Sequence, residues 1–308
     1  MLLKSLAYAR LSFTPSRQVV ITDPINTIDY SLLEPISSVE EFLKSNFKAS
    51  GSKLKKYFDK SFLNRSFTKH ATLSLPLNFV NDGEINPEYI GPQIDIIFDD
   101  ENFLVMNKPA NLFVHPLVYD EKNNCLSFLR VNKAACLAVN TKNYDRGLLY
   151  RLDFETSGVL VYVKNEEAYQ YLREHFKTIA KKKTYLCVVE GECRLNGNFT
   201  HYFSSKEIKG KRVIVSDNES KGERGELSLR PLHYDSRTST TLMEVDLKSG
   251  LRHQIRAQLA HMGFPLRGDL FYGGKAGRRL YLHAFNYQLE YQNQNYSFEI
   301  EPKDFNGL

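Results

Sequence analysis

The sequence predicts an α+β fold built around a mixed sheet. Strand-like runs dominate beyond residue 92, at 94–98, 104–107, 159–163, 184–189, 242–247 and 296–300. The helical patterns between them do not alternate regularly with the strands, as a doubly wound sheet would require. With 308 residues and 42% hydrophobic content, the chain can bury a full core, as one large domain or two small ones.

From the start of the chain, residues 1–35 are poorly patterned, and Pro15, Pro24 and Pro35 break any long helix. The opening Met1-Leu-Leu-Lys-Ser-Leu-Ala-Tyr-Ala-Arg10 lacks the sustained apolar core of a secretion signal. No run approaches bilayer-spanning length, so a cytoplasmic protein without a membrane partner is expected. Ser37-Ser-Val-Glu-Glu-Phe-Leu43 reads as a helix start, with serine as cap and acids in the first turn.

Within 48–69 seven basic residues (Lys48, Lys53, Lys55, Lys56, Lys60, Arg65 and Lys69) face Asp59 alone, and this surplus of six exceeds the whole chain's net charge of +5. Tyr57, Phe58, Phe62 and Phe67 are interleaved with them. That is the composition of a surface that tracks a nucleic-acid backbone and stacks bases. A basic helix with its aromatics turned into a core explains it equally well. With the turn Val80-Asn-Asp-Gly83, this stretch faintly resembles an S4-type RNA-binding module. A linker around Asn86-Pro-Glu-Tyr-Ile-Gly-Pro92 separates an extension, 1–91, from a second unit, 92–308.

In the second unit, Arg151-Leu-Asp-Phe-Glu-Thr-Ser-Gly158 places Asp153 in a turn ahead of the apolar run 159–163. An ionised carboxylate attacks an electrophilic carbon without a helper base. Burial without a cation would blunt it, so Asp153 needs an arginine, and Arg151 shares its face in extended chain. The alternative is a turn cap. Residues 165–176 form the clearest helix, capped by Asn165 with Ala168, Leu172 and Phe176 on one face. Near the C-terminal side, Met243, Val245 and Leu247 alternate with Glu244 and Asp246, and Ile255, Leu259 and Met262 then fall at helical spacing until Gly263 and Pro265. Arg252 and Arg256 would stack four apart on that helix, repelling by about a few tenths of a kcal/mol unless an anion lies between them. Solvated surface arginines are the alternative.

Four blocks together carry a family resemblance: Ile96-Ile-Phe-Asp-Asp-Glu-Asn-Phe-Leu-Val-Met-Asn-Lys-Pro109 with Val114-His-Pro116; Arg151 to Gly158; Lys183-Thr-Tyr-Leu-Cys-Val-Val-Glu-Gly191; and Gly250-Leu-Arg-His-Gln-Ile-Arg256 with Gly268-Asp-Leu-Phe-Tyr-Gly273. In this order and spacing the chain resembles the RluA-type pseudouridine synthases over roughly residues 92–302. It departs from their usual pattern at Tyr150, where a histidine is common, and at Leu251-Arg252, where Arg-Thr is common. The resemblance implies a long, bent, mainly antiparallel sheet with flanking helices and a central cleft. It also implies that Asp153 is the catalytic aspartate, Tyr185 the ring stacked on the target uracil, and Arg256 the cation paired with the aspartate. Arg151 and Arg252 are then expected to contact substrate. The basic stretches Lys177-Thr-Ile-Ala-Lys-Lys-Lys183 and Lys209-Gly-Lys-Arg212 would flank the cleft or be solvated charge. Gly273-Gly-Lys-Ala-Gly-Arg-Arg279 would contact phosphate or be a plain loop.

Isomerising uridine breaks the N1–C1′ bond and rejoins the base through C5, so one carboxylate suffices and no metal, redox partner or nucleotide cofactor is expected. Cys125, Cys136, Cys187 and Cys193 form no Cys-x-x-Cys pair or zinc-ligand pattern and read as reduced, mostly buried thiols. The expected function is an RNA uridine isomerase acting on ribosomal or transfer RNA, as a monomer. The alternative is a catalytically silent RNA-binding protein on the same scaffold. A zinc-dependent base deaminase is disfavoured, since His-x-Glu with Pro-Cys-x-x-Cys is missing.

Overall fold

The structure, a computed structural model, describes residues 26–141, 143–208 and 212–305. The unpatterned opening, 1–25, and Lys209 to Lys211 of the basic stretch lie outside the described residues.

The N-terminal part is a small layered unit. β1 (Thr27–Ser31) pairs antiparallel with β2 (Thr72–Pro76), and α1 (Val39–Phe47), α2 (Gly51–Tyr57) and α3 (Lys60–Leu63) run between them. Ser38 caps α1 by accepting from Glu41 N–H at 3.2 Å, with Glu40 and Glu41 in the first turn. Leu43, Leu54, Leu73 and Leu75 form the centre of its core with Phe79 of α4 (Leu77–Val80). Tyr57, Phe58, Phe62 and Phe67 all pack into this core, so the interleaved aromatics are spent on folding and offer no stacking platform. Lys53 and Lys56 turn to Asp82, at 3.6 and 2.9 Å, and Lys69 to Glu34 at 3.5 Å. Lys48, Lys55, Lys60 and Arg65 remain exposed and make no ion pair with a described residue.

Polar contacts dock this unit on the larger one. Asn78 Nδ2 donates to Asp120 at 2.7 Å, Tyr144 Oη to Asp82 at 2.7 Å, and Arg146 Nη2 to the Gly83 carbonyl at 2.6 Å. The 86–92 segment is held too: Asn86 is buried and bonds the Tyr119 carbonyl at 3.0 Å, while Tyr89 packs on the larger core.

Among the described residues, ten strands then form one sheet: β3 (Asp95–Asp99), β4 (Phe103–Lys108), β5 (Ser157–Val163), β6 (Ala180–Glu190), β7 (Gly197–Ile208), β8 (Arg212–Ser216), β9 (Glu223–Asp235), β10 (Thr240–Leu247), β11 (Leu282–Tyr291) and β12 (Gln294–Glu299). The spatial order is β3-β4-β5-β11-β6-β10-β9-β7-β8, with β12 on β11. Every pairing is antiparallel except β11 with β5. Bulges interrupt β3/β4, β6/β11, β7/β8 and β9/β10, and extra residues of this kind bend strands. The mixed, mainly antiparallel α+β architecture is therefore the one the sequence predicts.

The unbroken apolar runs of β4 and β5 follow from burial on both faces. Leu104, Met106, Leu160 and Tyr162 point into a core under α5 (Cys125–Asn132). Their neighbours Phe103, Val105, Val159, Val161 and Val163 point into a second core covered by α6 (Glu166–Glu174). Asn165 caps α6, accepting from Ala168 N–H at 2.7 Å, but the helix is shorter than predicted and Phe176 opens a separate turn, α7 (Phe176–Ile179). From Ala180 the basic stretch belongs to strand β6. A third core joins β6, β9 and β10 to α8 (Gln254–His261) through Cys187, Val189, Leu229, Met243, Ile255 and Leu259. All four cysteines are buried and free. No helix of the described residues is long and apolar enough to cross a membrane.

The start of β5 tolerates only glycine. Gly158 has φ +111°, and a Cβ there would lie 2.2 Å from the Ala284 carbonyl oxygen of β11. Gly191, at φ +83°, has nothing within 4 Å of its Cβ position. Gly158→Ala should therefore cost at least about 3 kcal/mol in urea unfolding, against about 1–2 kcal/mol for Gly191→Ala, where only backbone strain is added. Equal losses at the two positions would refute the close approach.

Candidate active site

Asp153 sits in a turn fastened from below. The turn closes by Thr156 N–H donating to the Asp153 carbonyl at 3.1 Å. Lys108, fully buried at the end of β4, donates to the carbonyls of Pro109, Leu112 and Phe154 at 2.9, 2.8 and 3.1 Å. Burial draws its pKa down to about 8, partly offset by neighbouring acids that include Asp153 and Glu155. Phe154 packs on Phe113 with ring centroids 4.4 Å apart. Three residues on, Ser157 Oγ accepts from Arg279 at 2.9 Å and pairs with His283 Nδ1 at 2.7 Å, while His283 Nε2–H donates to the Ile300 carbonyl at 2.8 Å. The backbone around Asp153 is thus tied to β4, β11 and the C-terminal segment, leaving its carboxylate as the free end. Among the described residues no backbone N–H donates to that carboxylate, whose Oδ2 faces Arg256.

Arg256, on α8, is 2% exposed and meets three carboxylates. Asp269 takes it bidentately, Nε to Oδ2 at 2.7 Å and Nη2 to Oδ1 at 2.9 Å. Nη1 is left between Asp153 Oδ2 at 3.4 Å and Glu155 Oε2 at 3.3 Å. Burial alone would lower the guanidinium's pKa, but the Asp269 bonds, aided by Glu155 and Asp153, outweigh it and hold it above the ordinary value. Burial raises the Glu155 pKa against the opposing pull of Arg256. The expected Arg256–Asp153 contact exists, yet the arginine's principal partner is Asp269, which lay in a recognised sequence block without an assigned role.

His253 adds a further contact. It precedes α8 in the left-handed conformation, φ 52°, with Nε2 3.9 Å from Asp153 Oδ2 and Nδ1 3.0 Å from Tyr272 Oη. Tyr272 Oη accepts from Val213 N–H at 3.2 Å, and the Asp153 carboxylate, which only accepts, favours the imidazole hydrogen on Nε2, so that Nδ1 accepts from the Tyr272 hydroxyl. Burial lowers the His253 pKa to about 4, keeping the ring neutral at neutral pH. The left-handed residue also corrects the sequence reading of Arg252, which lies in the turn before α8 and is not stacked on Arg256.

Asp153, His253 and Arg256 line a cleft of about 750 Å³. Asp153, Tyr185 and Arg256 all face it, and so do Arg151 and Arg252, both exposed and without an ion pair to a described residue. Tyr185 stands half-buried on β6, packed against two cores while presenting one side to the cleft. Burial raises its pKa, and Asp153 adds to the effect. Tyr150, at the departure from the family pattern, stacks on Tyr287 at 4.5 Å and donates to the Val159 carbonyl at 2.9 Å. Of the basic segments, Lys183 lines the cleft, Arg212 lies 5.2 Å over Phe271, and Arg279 is committed to Asp304 and Ser157.

Comparison with known proteins gives one consistent answer. The sequence pattern described as RNA pseudouridylate synthase matches residues 102–261. The chain is 27% identical over 298 residues to a Borreliella burgdorferi protein named ribosomal large subunit pseudouridine synthase D, covering 90% of this chain and 89% of that one. It is 33% identical over 218 residues to an uncharacterized RNA pseudouridine synthase of Helicobacter pylori, covering 68% of this chain and 76% of that one. Among solved structures, human RNA pseudouridylate synthase domain containing 1 shares the fold with a TM-score of 0.56 at 21% identity, over 68% of this chain and 84% of that one.

The neutral histidine under the Asp153 turn gives a pH signature. Burial, with Arg279 adding to it, lowers the His283 pKa from 6.5 to about 4, against the opposing Ile300 carbonyl. The unfolded chain therefore binds the proton first on acidification, so this contribution is complete above pH 6.5 and is lost as pH falls toward 4. The loss should be on the order of 3 kcal/mol. Urea unfolding at pH 7 and at pH 4.5 should show a smaller drop for His283→Gln than for the wild type. An identical drop would mean His283 does not titrate as its burial demands.

Proposed function

The chain belongs to the RNA pseudouridylate synthase family, of RluA type, and from that premise we propose that it isomerises uridines of ribosomal RNA through Asp153. The observation that carries the choice of residue is the ranking of three carboxylates around one guanidinium. Asp269 is 1% exposed with both oxygens bonded; Glu155 is 18% exposed and does not line the cleft. Asp153 is 29% exposed, holds the longest contact to Arg256 and faces the cleft, so it alone can reach a base or ribose.

In the reaction the N1–C1′ bond breaks, the uracil turns, C5 bonds to C1′, and the proton lost from C5 is balanced by one gained at N1. Addition of the carboxylate to the sugar or base and removal of the 2′ proton both run through this one acid. Arg256 fixes the orientation of Asp153, and the His253 N–H faces the same oxygen. Tyr185 supplies a face on which the detached base stays stacked, an interaction of about 1–3 kcal/mol that opposes its escape. Arg151 and Arg252 take phosphates at the cleft, where their charges make no ion pair with a described residue. The target nucleotide leaves its stack to enter, at a cost of about a few kcal/mol.

Names of relatives favour large-subunit ribosomal RNA over transfer RNA. Residues 1–91 serve as an RNA-contacting extension, S4-like in role, ahead of the catalytic unit 92–308. Its support is electrostatic, since the extension docks beside the cleft and leaves Lys48, Lys55, Lys60 and Arg65 unpaired. A cytoplasmic monomer fits this role.

Asp153→Ala should bind RNA as tightly as the wild type yet form no pseudouridine above background in ribosomal RNA from deletion cells. Product from the purified variant would remove Asp153 from the chemistry. Replacing Lys48, Lys55, Lys60 and Arg65 together by alanine should lower the log–log salt slope of RNA binding by about 3. An unchanged slope would take the extension out of the RNA interface.

A further inference from the structure

Away from the cleft, three metal-ligating side chains converge at the other end of α8. His201 lies on β7, Asp217 directly follows β8, and His261 ends α8, about 7 to 8 Å along the helix axis from Arg256. His201 Nε2 stands 3.5 Å and His261 Nε2 3.1 Å from the same oxygen, Asp217 Oδ1. All three donor atoms fall within 4.8 Å of one another. Donors held at about 2.0–2.1 Å from a tetrahedral zinc are separated by roughly 3.3–3.4 Å. Two of the three edges already have that length, and a shift of about 1 Å or less in the exposed Asp217 and His261 side chains closes the third.

We propose that His201, Asp217 and His261 form a divalent-cation site of the two-histidine, one-carboxylate type, suited to Zn2+ with water as fourth ligand. Nothing in the uridine chemistry uses these residues, so the site is a brace and not part of the reaction. It would join α8, which carries Arg256, to β7 and β8. The same β8 meets the cleft where Val213 N–H donates to Tyr272 Oη.

The surroundings of His201 supply the second observation. Its Nδ1 lies 2.8 Å from Gln258 Nε2, whose amide donates, so the metal-free ring carries its hydrogen on Nε2 toward Asp217. A metal on Nε2 sends that hydrogen to Nδ1, with no net proton released, and Nδ1–H then requires an acceptor. Gln258 Oε1 is buried and has no hydrogen-bond partner. A half-turn of the amide brings it to Nδ1, at the expense of the 3.1 Å bond from Nε2 to the Phe199 carbonyl. Burial and the neighbouring His261 lower the His201 pKa against Asp217, so the ring is neutral and able to ligate at neutral pH.

The test uses the full-length chain stripped of metal by a chelator. Titration with Co2+ should give saturable visible d–d bands at one ion per chain, Zn2+ should displace it, and Zn2+ should raise the melting temperature. His261→Gln and Asp217→Asn, at surface positions that leave the fold intact by circular dichroism, should each weaken Zn2+ binding by about tenfold or more. Absence of saturable one-to-one binding in the wild type, or equal binding by folded variants, would overturn the site. Neither result touches the role of Asp153, which is read from pseudouridine formation.

Discussion

The bidentate ion pair between Arg256 and Asp269 sets the geometry of the cleft because neither charge has water to fall back on. Both side chains are almost fully buried, and removing one partner from such a pair leaves an uncompensated charge that costs about 3–5 kcal/mol. A guanidinium is planar and its donors stand at fixed angles. Once Nε and Nη2 are taken by Asp269, the direction of Nη1 is no longer free. That direction is the line to Asp153 and Glu155. The aspartate is oriented by a cation that is itself oriented, and the Tyr272–His253 pair approaches its oxygen from a second side.

The same economy governs the backbone under Asp153. A turn in solution would sample many conformations, yet here Lys108 holds the Phe154 carbonyl, Gly158 lets β5 run against β11, and Ser157 is tied to Arg279 and His283. These ties join the residues that follow the carboxylate, 154 to 158, to β4 and β11. Pre-organisation of this kind suits the proposed one-acid chemistry, since a displaced reacting group costs rate without any compensating contact elsewhere.

How far the sequence revealed this depends on where each residue's partner lies. β4, β5, β6 and β10 were legible because their apolar runs or alternations are local signals. β11 was not: it carries His283 and Asn286 in the core, polar residues whose partners Ser157, Ile300, Ser297 and Glu299 come from elsewhere in the chain. β9 was obscured by Gly225 and by Pro231, which sits at the bulge opposite Met243. At the site, Asp153, Tyr185 and Arg256 were marked by motif blocks, whereas Asp269 and His253 acquire meaning only when folding brings them to Arg256 and Asp153. Arg252 was misplaced because residue spacing cannot reveal that His253 turns left-handed. In the extension, composition allowed two readings of Tyr57, Phe58, Phe62 and Phe67, and burial decided for the core.

The distribution of charge follows from these placements and constrains how a polyanion would approach. Behind the cleft, three carboxylates surround the Arg256 guanidinium, and of the three only Asp153 faces the cleft. At the cleft Arg151 and Arg252 are exposed and make no ion pair with a described residue, and the extension carries four more basic side chains without one. On the proposed reading a nucleic acid strand would be held by its backbone at these exposed cations. A base would meet Tyr185 only after leaving its neighbours in the strand. The proposed catalysis then requires the nucleotide to enter base first, so that its glycosidic bond reaches Asp153, the one carboxylate of the three that faces the cleft.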